Sequence, residues 1–378
     1  MARRKLKEKR SPQVDTNNNP FIARTGNERM KVAMGMKIPK MLCGELIFET
    51  SVIMLFAETT MGKSLFGFQL ADAISRGRSI GYLKNESEAQ NVLYLDLENG
   101  EKVFEKRYSE VEKIDGKETW HNPYDWSDNL NVVDFADPNQ YQIPKENVVE
   151  WWFAHIVSLA EEHSSKVVFI DNLNALIMEG GIEKSKEVAP LLRKLFDLRR
   201  TKGYTFIVLH HTPKINQSQK ASRNEMSGAS NLSNLVDGIF TIRRSVYNED
   251  ESSRYIIQLK PTRYSENVYH AGNVITSRIC KIYPNFIGFE IIELGDDEVE
   301  FRSEEAHLSR RGMESTKIIT EYETKKRRGL LEECVKANPD TPVTQLAEHL
   351  EVSRQTIHKD LNWLDNKNNG ELFNNNGQ

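Results

Sequence analysis

The sequence predicts an α/β fold, a mainly parallel sheet covered by helices on both faces, followed by a small all-α domain. Three observations predict it. Between about Ile38 and Leu294, apolar runs of strand length alternate with amphipathic stretches of helix length. The strand-length runs are apolar almost throughout, which marks strands buried on both faces of a parallel sheet. Close to the C-terminus, a compact helical pattern is broken by a three-residue turn.

In chain order, the predicted strands are 51–57, 91–97, 129–135, 166–172, 205–211, 238–244 and 254–260. The predicted helices are 63–77, 146–163 and 188–203, each carrying an apolar stripe at helical spacing. The last two strands follow one another with no helix between them, so that edge is expected to be antiparallel. Residues 1–28 are basic and then polar, with little to bury, and read as a flexible arm. The α/β domain is expected over 29–295, a charged linker over 296–316, a helix-turn-helix domain over 317–366 and an Asn-rich disordered tail over 367–378.

Composition narrows the class. A chain of 378 residues with 38% hydrophobic and 28% charged residues has the make-up of a soluble globular protein. No apolar run approaches the roughly 20 residues of a membrane helix, so no membrane partner is expected. Cys43, Cys280 and Cys334 are an odd number without CxxC spacing, as in a reducing cytoplasm. A net charge of −4 excludes a strongly basic DNA-coating protein and leaves room for a local nucleic-acid site.

The most specific chemistry lies after the first strand. Residues Ala57, Glu58, Thr59, Thr60, Met61, Gly62, Lys63 and Ser64 join a buried strand to an amphipathic helix. In such a loop, backbone N–H groups and the helix dipole cradle phosphates, the lysine neutralises them and the hydroxyl ligates Mg²⁺. ATP and Mg²⁺ are therefore the expected cofactors. Ala57 stands where these loops usually carry their first glycine, which removes no phosphate-binding group. Asp171 closes the strand at 166–172, the position of the carboxylate that holds Mg²⁺. A helix-capping Asp at a strand end is the competing reading.

Asn172 follows it, so no glutamate directly succeeds the metal aspartate, and an acidic group must come from elsewhere. Glu98 ends the strand at 91–97, expected beside the phosphate-loop strand, where it could orient the attacking water; Asp96, earlier in that strand, competes for the role. His210 and His211 end the strand at 205–211, and at least one imidazole is expected to face the phosphates.

These segments, FAETTMGKS, VLYLDLENG, VVFIDNL, VLHHTPK and GASNLSNLVDGIFTIRR, resemble in content and order the RepA-like hexameric helicase and DnaB-like ATPase group, the AAA_25 domain family, over about 30–295. The resemblance implies a RecA-like P-loop core in a hexameric homo-oligomer, an ATPase acting as a DNA helicase or translocase. It assigns Lys63 and Ser64 to phosphate and Mg²⁺, Asp171 to Mg²⁺, Glu98 to the catalytic base and His210/His211 to sensing the γ-phosphate. Ser227 stands where family members often have an arginine that enters a neighbour's site; Lys260 and Arg263 are the replacement candidates, with Arg223 weaker. Lys214, Lys220 and Arg223 lie in a polar loop suited to a single strand of DNA. The C-terminal domain presents Arg354, Gln355, Thr356, His358 and Lys359 to a duplex groove, protein docking being the alternative use of the motif.

Overall fold

Strand-forming residues, not helices, set the frame. The computed structural model describes residues 21–173, 175–176, 188–212, 221–222, 232–245, 251–295, 314–339, 341–350 and 352–374. Residues 1–39 and 40–378 form two units. In the first, the helix α1 (Gly26–Met34) occupies part of the stretch expected as an arm. It opens with a capping box: the Glu28 N–H donates to the Thr25 hydroxyl at 3.2 Å, and the Thr25 N–H donates to the Glu28 carboxylate at 2.8 Å.

The second unit begins with a small buried hairpin, β1 (Met41–Cys43) and β2 (Ile47–Phe48). The core elements then follow as β3 (Val52–Ala57), α2 (Lys63–Arg76), β4 (Val92–Asp96) and α3 (Glu101–Arg107). An exposed hairpin, β5 (Glu110–Ile114) and β6 (Lys117–His121), precedes β7 (Leu130–Val133), α4 (Val148–Glu162), β8 (Val167–Asp171) and α5 (Val188–Lys202). The domain closes with β9 (Thr205–His211), β10 (Gly238–Arg244), β11 (Ser253–Lys260), β12 (Val274–Tyr283) and β13 (Phe286–Gly295).

Nine of these strands make one sheet in the order β13-β12-β11-β10-β3-β9-β8-β4-β7. The strands from β10 to β7 are parallel, and β11, β12 and β13 complete the other edge antiparallel. This is the expected α/β, RecA-like architecture, with a strand, β9, inserted between the phosphate-loop strand β3 and the aspartate strand β8.

Two-residue alternation divides the core. Ile53, Leu55, Ala57, Ile207 and Leu209 face the α2 layer, while Val52, Met54, Phe56, Phe206 and Val208 face α4 and α5. Every residue of β3, β4 and β8 is buried, which explains their unbroken apolar sequences. The α2 helix is pinned from its other side: buried Gln69 donates to the Phe289 carbonyl at 2.9 Å and accepts the Phe289 N–H at 2.8 Å.

The C-terminal helices are α6 (Glu314–Ala337), α7 (Val343–His349) and α8 (Arg354–Asn374), packed around Leu331, Leu346, Ala347, Ile357 and Leu364. Pro342 occupies the N-cap of α7, and the Ser353 hydroxyl accepts the Thr356 N–H at 3.2 Å at the start of α8. Asp360 is buried and receives Arg327 at 2.6 Å and Arg328 at 2.7 Å, clamping α8 to α6. Burial would raise its carboxyl, but both guanidiniums hold it below the ordinary range. Among the described residues, no helix is long and apolar enough to cross a membrane.

Candidate functional site

The phosphate loop is shaped by two left-handed residues, Thr60 with φ 72° and Gly62 with φ 89°. Gly62 is needed twice over, because a Cβ there would also lie 2.6 Å from the Ile279 side chain. No side chain caps the N-terminus of α2, so the N–H groups of its first turn remain available to an anion. Arg254, nearly buried at the start of β11, donates to the Met61 carbonyl at 3.3 Å and braces the loop. Sequence reasoning missed Arg254, since nothing local signals a contact across 193 residues.

Register brings the other groups to the same end of the sheet. Ala57 pairs with His211, and Asp96 pairs with Asp171. Asp171 is completely buried, accepts the Tyr94 hydroxyl at 2.8 Å through Oδ2 and is hydrogen-bonded to Ser64. Its Oδ1 has no hydrogen-bond partner among the described residues. Burial pushes its carboxyl up, against the opposing pull of Ser64, Tyr94 and Lys63. The Ser64 hydroxyl and the Asp171 carboxylate, with its Oδ1 buried and without a hydrogen-bond partner among the described residues, are hard-oxygen donors of the kind Mg²⁺ takes alongside substrate phosphates and water.

Lys63, Glu98 and His211 form one chain. The Lys63 ammonium lies 3.2 Å from His211 Nδ1, and His211 Nε2 lies 3.1 Å from Glu98 Oε2. An ammonium can only donate, so Nδ1 accepts and Nε2 carries the proton that is donated to Glu98. Asn172 Nδ2 donates to the same Oε2 at 2.5 Å. Burial alone would raise the Glu98 carboxyl, but His211, Asn172 and Lys63 outweigh it and hold it low. Burial lowers the Lys63 ammonium despite the attraction of Asp171 and Glu98.

Two expectations change here. Glu98 does not follow a strand beside β3; β9 and β8 intervene, and the side chain meets Lys63 through His211 instead. His210 does not join the chain: alternation turns it to the opposite face of β9, where it is buried and neither ring nitrogen is hydrogen-bonded among the described residues. Burial, then His211 and Lys63, lowers its pKa to about 4, so it is neutral. Asp96 is also apart, accepting the N–H and the side-chain amide of Asn99 at 3.2 and 2.9 Å, and burial raises it to about 6.

The structure sets Lys260 and Arg263 away from the phosphate loop of their own chain. Lys260 pairs with Ile239 near the start of β10, and β10 runs parallel to β3, so both residues lie at the sheet end opposite Lys63. Lys260 donates to the Val236 carbonyl at 2.5 Å, and Arg263 is exposed. Arg354, Gln355 and Lys359 are all exposed on the first turns of α8. Lys214, Lys220, Arg223 and Ser227 lie outside the described residues.

Residues 34–217 match the AAA domain family AAA_25, and residues 326–369 match the HTH domain family HTH_11. No curated protein matches the chain significantly. Among solved structures, a KaiC-like protein from the hyperthermophilic archaeon Pyrococcus horikoshii OT3 is similar at 16% identity and a TM-score of 0.43, over 64% of this chain and 90% of that one. The chain thus combines a region similar to AAA_25 domains with a C-terminal region similar to HTH_11 domains.

Proposed function

We propose that the protein is an ATP-hydrolysing ring motor that acts on DNA, a RepA-like helicase or translocase. The observation that carries the reading is the Lys63–His211–Glu98 chain, assembled beside Asp171 at the open N-terminus of α2. In this reading the N–H groups of residues 58–64 and the Lys63 ammonium bind the β- and γ-phosphates of ATP. Ser64 and Asp171 hold Mg²⁺, whose charge offsets that of the phosphates. Glu98 orients the attacking water, and His211 leaves Lys63 for the γ-phosphate side when nucleotide arrives. Lys260 and Arg263, remote from their own site, complete the site of a neighbouring copy, which requires a homo-oligomer, a hexameric ring. Single-stranded DNA is assigned to the loop carrying Lys214, Lys220 and Arg223, and duplex DNA to Arg354, Gln355 and Lys359.

A second reading is an ATP-dependent DNA-binding switch without unwinding, favoured by the exposed polar first turns of α8. A strand-displacement assay with Mg²⁺-ATP, run beside native mass measurement with and without nucleotide, separates the two. Displacement by an oligomer supports the motor; site-specific duplex binding with turnover but no displacement selects the switch. Absence of turnover under both conditions removes the ATPase reading.

A further inference from the structure

Glu98 is a long side chain, 45% exposed, on the residue that follows a buried strand and a single linking position. Left alone, such a carboxylate would sample several rotamers in water. Two donors converge on one of its oxygens: His211 Nε2 at 3.1 Å and Asn172 Nδ2 at 2.5 Å. The two are not equivalent. His211 is also engaged with Lys63, the group that phosphates draw away. Asn172 is 4% exposed, and its other end is tied down, because Oδ1 accepts the Ala175 N–H at 3.0 Å. That second bond also fixes the orientation of the amide. A backbone N–H can only donate, so the oxygen must face Ala175 and the NH₂ must face Glu98.

We propose that Asn172 is a positioning residue for hydrolysis, an anchor that holds Glu98 Oε2 throughout turnover and so aims Oε1 at the attacking water. The inference rests on the reading of Glu98 as the water-orienting group. It explains how a half-exposed carboxylate keeps a productive geometry once nucleotide recruits Lys63 and disturbs the His211 contact. Among the described residues Oε1 carries no hydrogen bond, as a water-directing oxygen requires. The other titratable and charged groups facing Glu98 are His211 from β9, Lys63 from α2 and Asp171 from β8. Of these only His211 donates to Glu98, and its second partner is Lys63, the group that phosphates draw away. Holding one oxygen by a fixed amide restricts the rotation of the carboxylate, and aligned geometry of this kind is a large share of catalytic rate.

The test separates anchoring from simple structural support. Asn172→Asp keeps the size and the acceptor for the Ala175 N–H but removes the donor to Glu98; Asn172→Ala removes both. Steady-state ATPase and equilibrium binding of a fluorescent ATP analogue are measured for wild type, both variants, Glu98→Gln and the double variant Asn172→Ala/Glu98→Gln, with thermal melts for each. Anchoring predicts that both single variants lose at least tenfold in kcat, that Asn172→Ala binds nucleotide within about threefold of wild type, and that the double variant is no slower than Glu98→Gln within twofold. A structural role predicts that Asn172→Asp turns over like wild type while Asn172→Ala melts lower, and that outcome overturns the inference. Losses that multiply in the double variant overturn it as well. If Glu98→Gln itself turns over normally, the reading of Glu98 fails first. If Glu98→Gln is inactive and the Asn172 variants are normal, only the anchoring inference fails.

Discussion

Replacing Glu98 by Gln is the sharpest perturbation of the proposed chemistry, because Gln preserves shape and removes charge. The amide oxygen can still accept from Asn172 and His211, which now contact Glu98 Oε2 at 2.5 and 3.1 Å. The nucleotide site therefore keeps its geometry, and ATP is expected to bind within about threefold of wild type. A general base is worth about 10²–10⁴ in rate, or about 2.7–5.5 kcal/mol. Glu98 is a weak base, its carboxyl held low by His211, Asn172 and Lys63 over the opposing effect of burial. Orientation of water is then its larger contribution, and the lower half of that range, on the order of 10²–10³, is expected for kcat. Asp96→Asn is the control: Asp96 bonds Asn99 and stands outside the Lys63–His211–Glu98 chain, so its turnover should stay within about threefold. Phosphate release and analogue binding, measured on both variants, check this. A dead Asp96→Asn beside an active Glu98→Gln refutes the assignment.

Lys63→Ala should abolish hydrolysis, measured as phosphate release, because the cation buried at the loop is lost. Deleting residues from about 315 onward should leave basal ATPase unchanged and weaken duplex DNA binding in a salt-series titration; unchanged binding would assign the C-terminal domain to protein docking. Stability should respond to acid through two opposed groups. His210 has a folded pKa of about 4, below its unfolded value near 6.5, so its contribution is lost as pH falls through that window. Asp96 has a folded pKa of about 6, above its unfolded value near 3.8, so its contribution grows as pH falls through 6. Asp96→Asn removes the offset, and between pH 7 and pH 5 the variant should lose about 1 kcal/mol more than wild type in urea melts. Equal losses would contradict the pairing of these two groups.

The sheet was legible because its central strands are buried on both faces and therefore read as unbroken apolar runs: β3, β4 and β8 are buried at every position. The later hairpin was not. The strands β12 and β13 are buried for part of their length and then alternate with exposed residues, so neither pattern dominates. The phosphate loop announces itself through Gly62, Lys63 and Ser64, since loop, charge and hydroxyl are contiguous. Choosing His211 over His210 needs the register of β9 against β3, which pairs residues more than 150 positions apart. Asn172, Tyr94 and Arg254 escaped for the same reason: each acts through one hydrogen bond to a distant partner, and an isolated Asn, Tyr or Arg carries no signature.

The central claim, that two copies complete one site, is tested most directly by mixing two inactive variants. Lys63→Ala lacks the cation of its own loop, and Arg263→Ala lacks the residue proposed to reach a neighbour. Arg263→Ala should bind nucleotide normally while turnover falls by roughly 10³ or more, the usual worth of a trans-acting arginine. Mixed after subunit exchange confirmed by native mass measurement, the two should regain turnover, because some interfaces then pair an intact phosphate loop with an intact arginine. Exchange without any recovery of phosphate release would contradict a site shared between copies through Arg263.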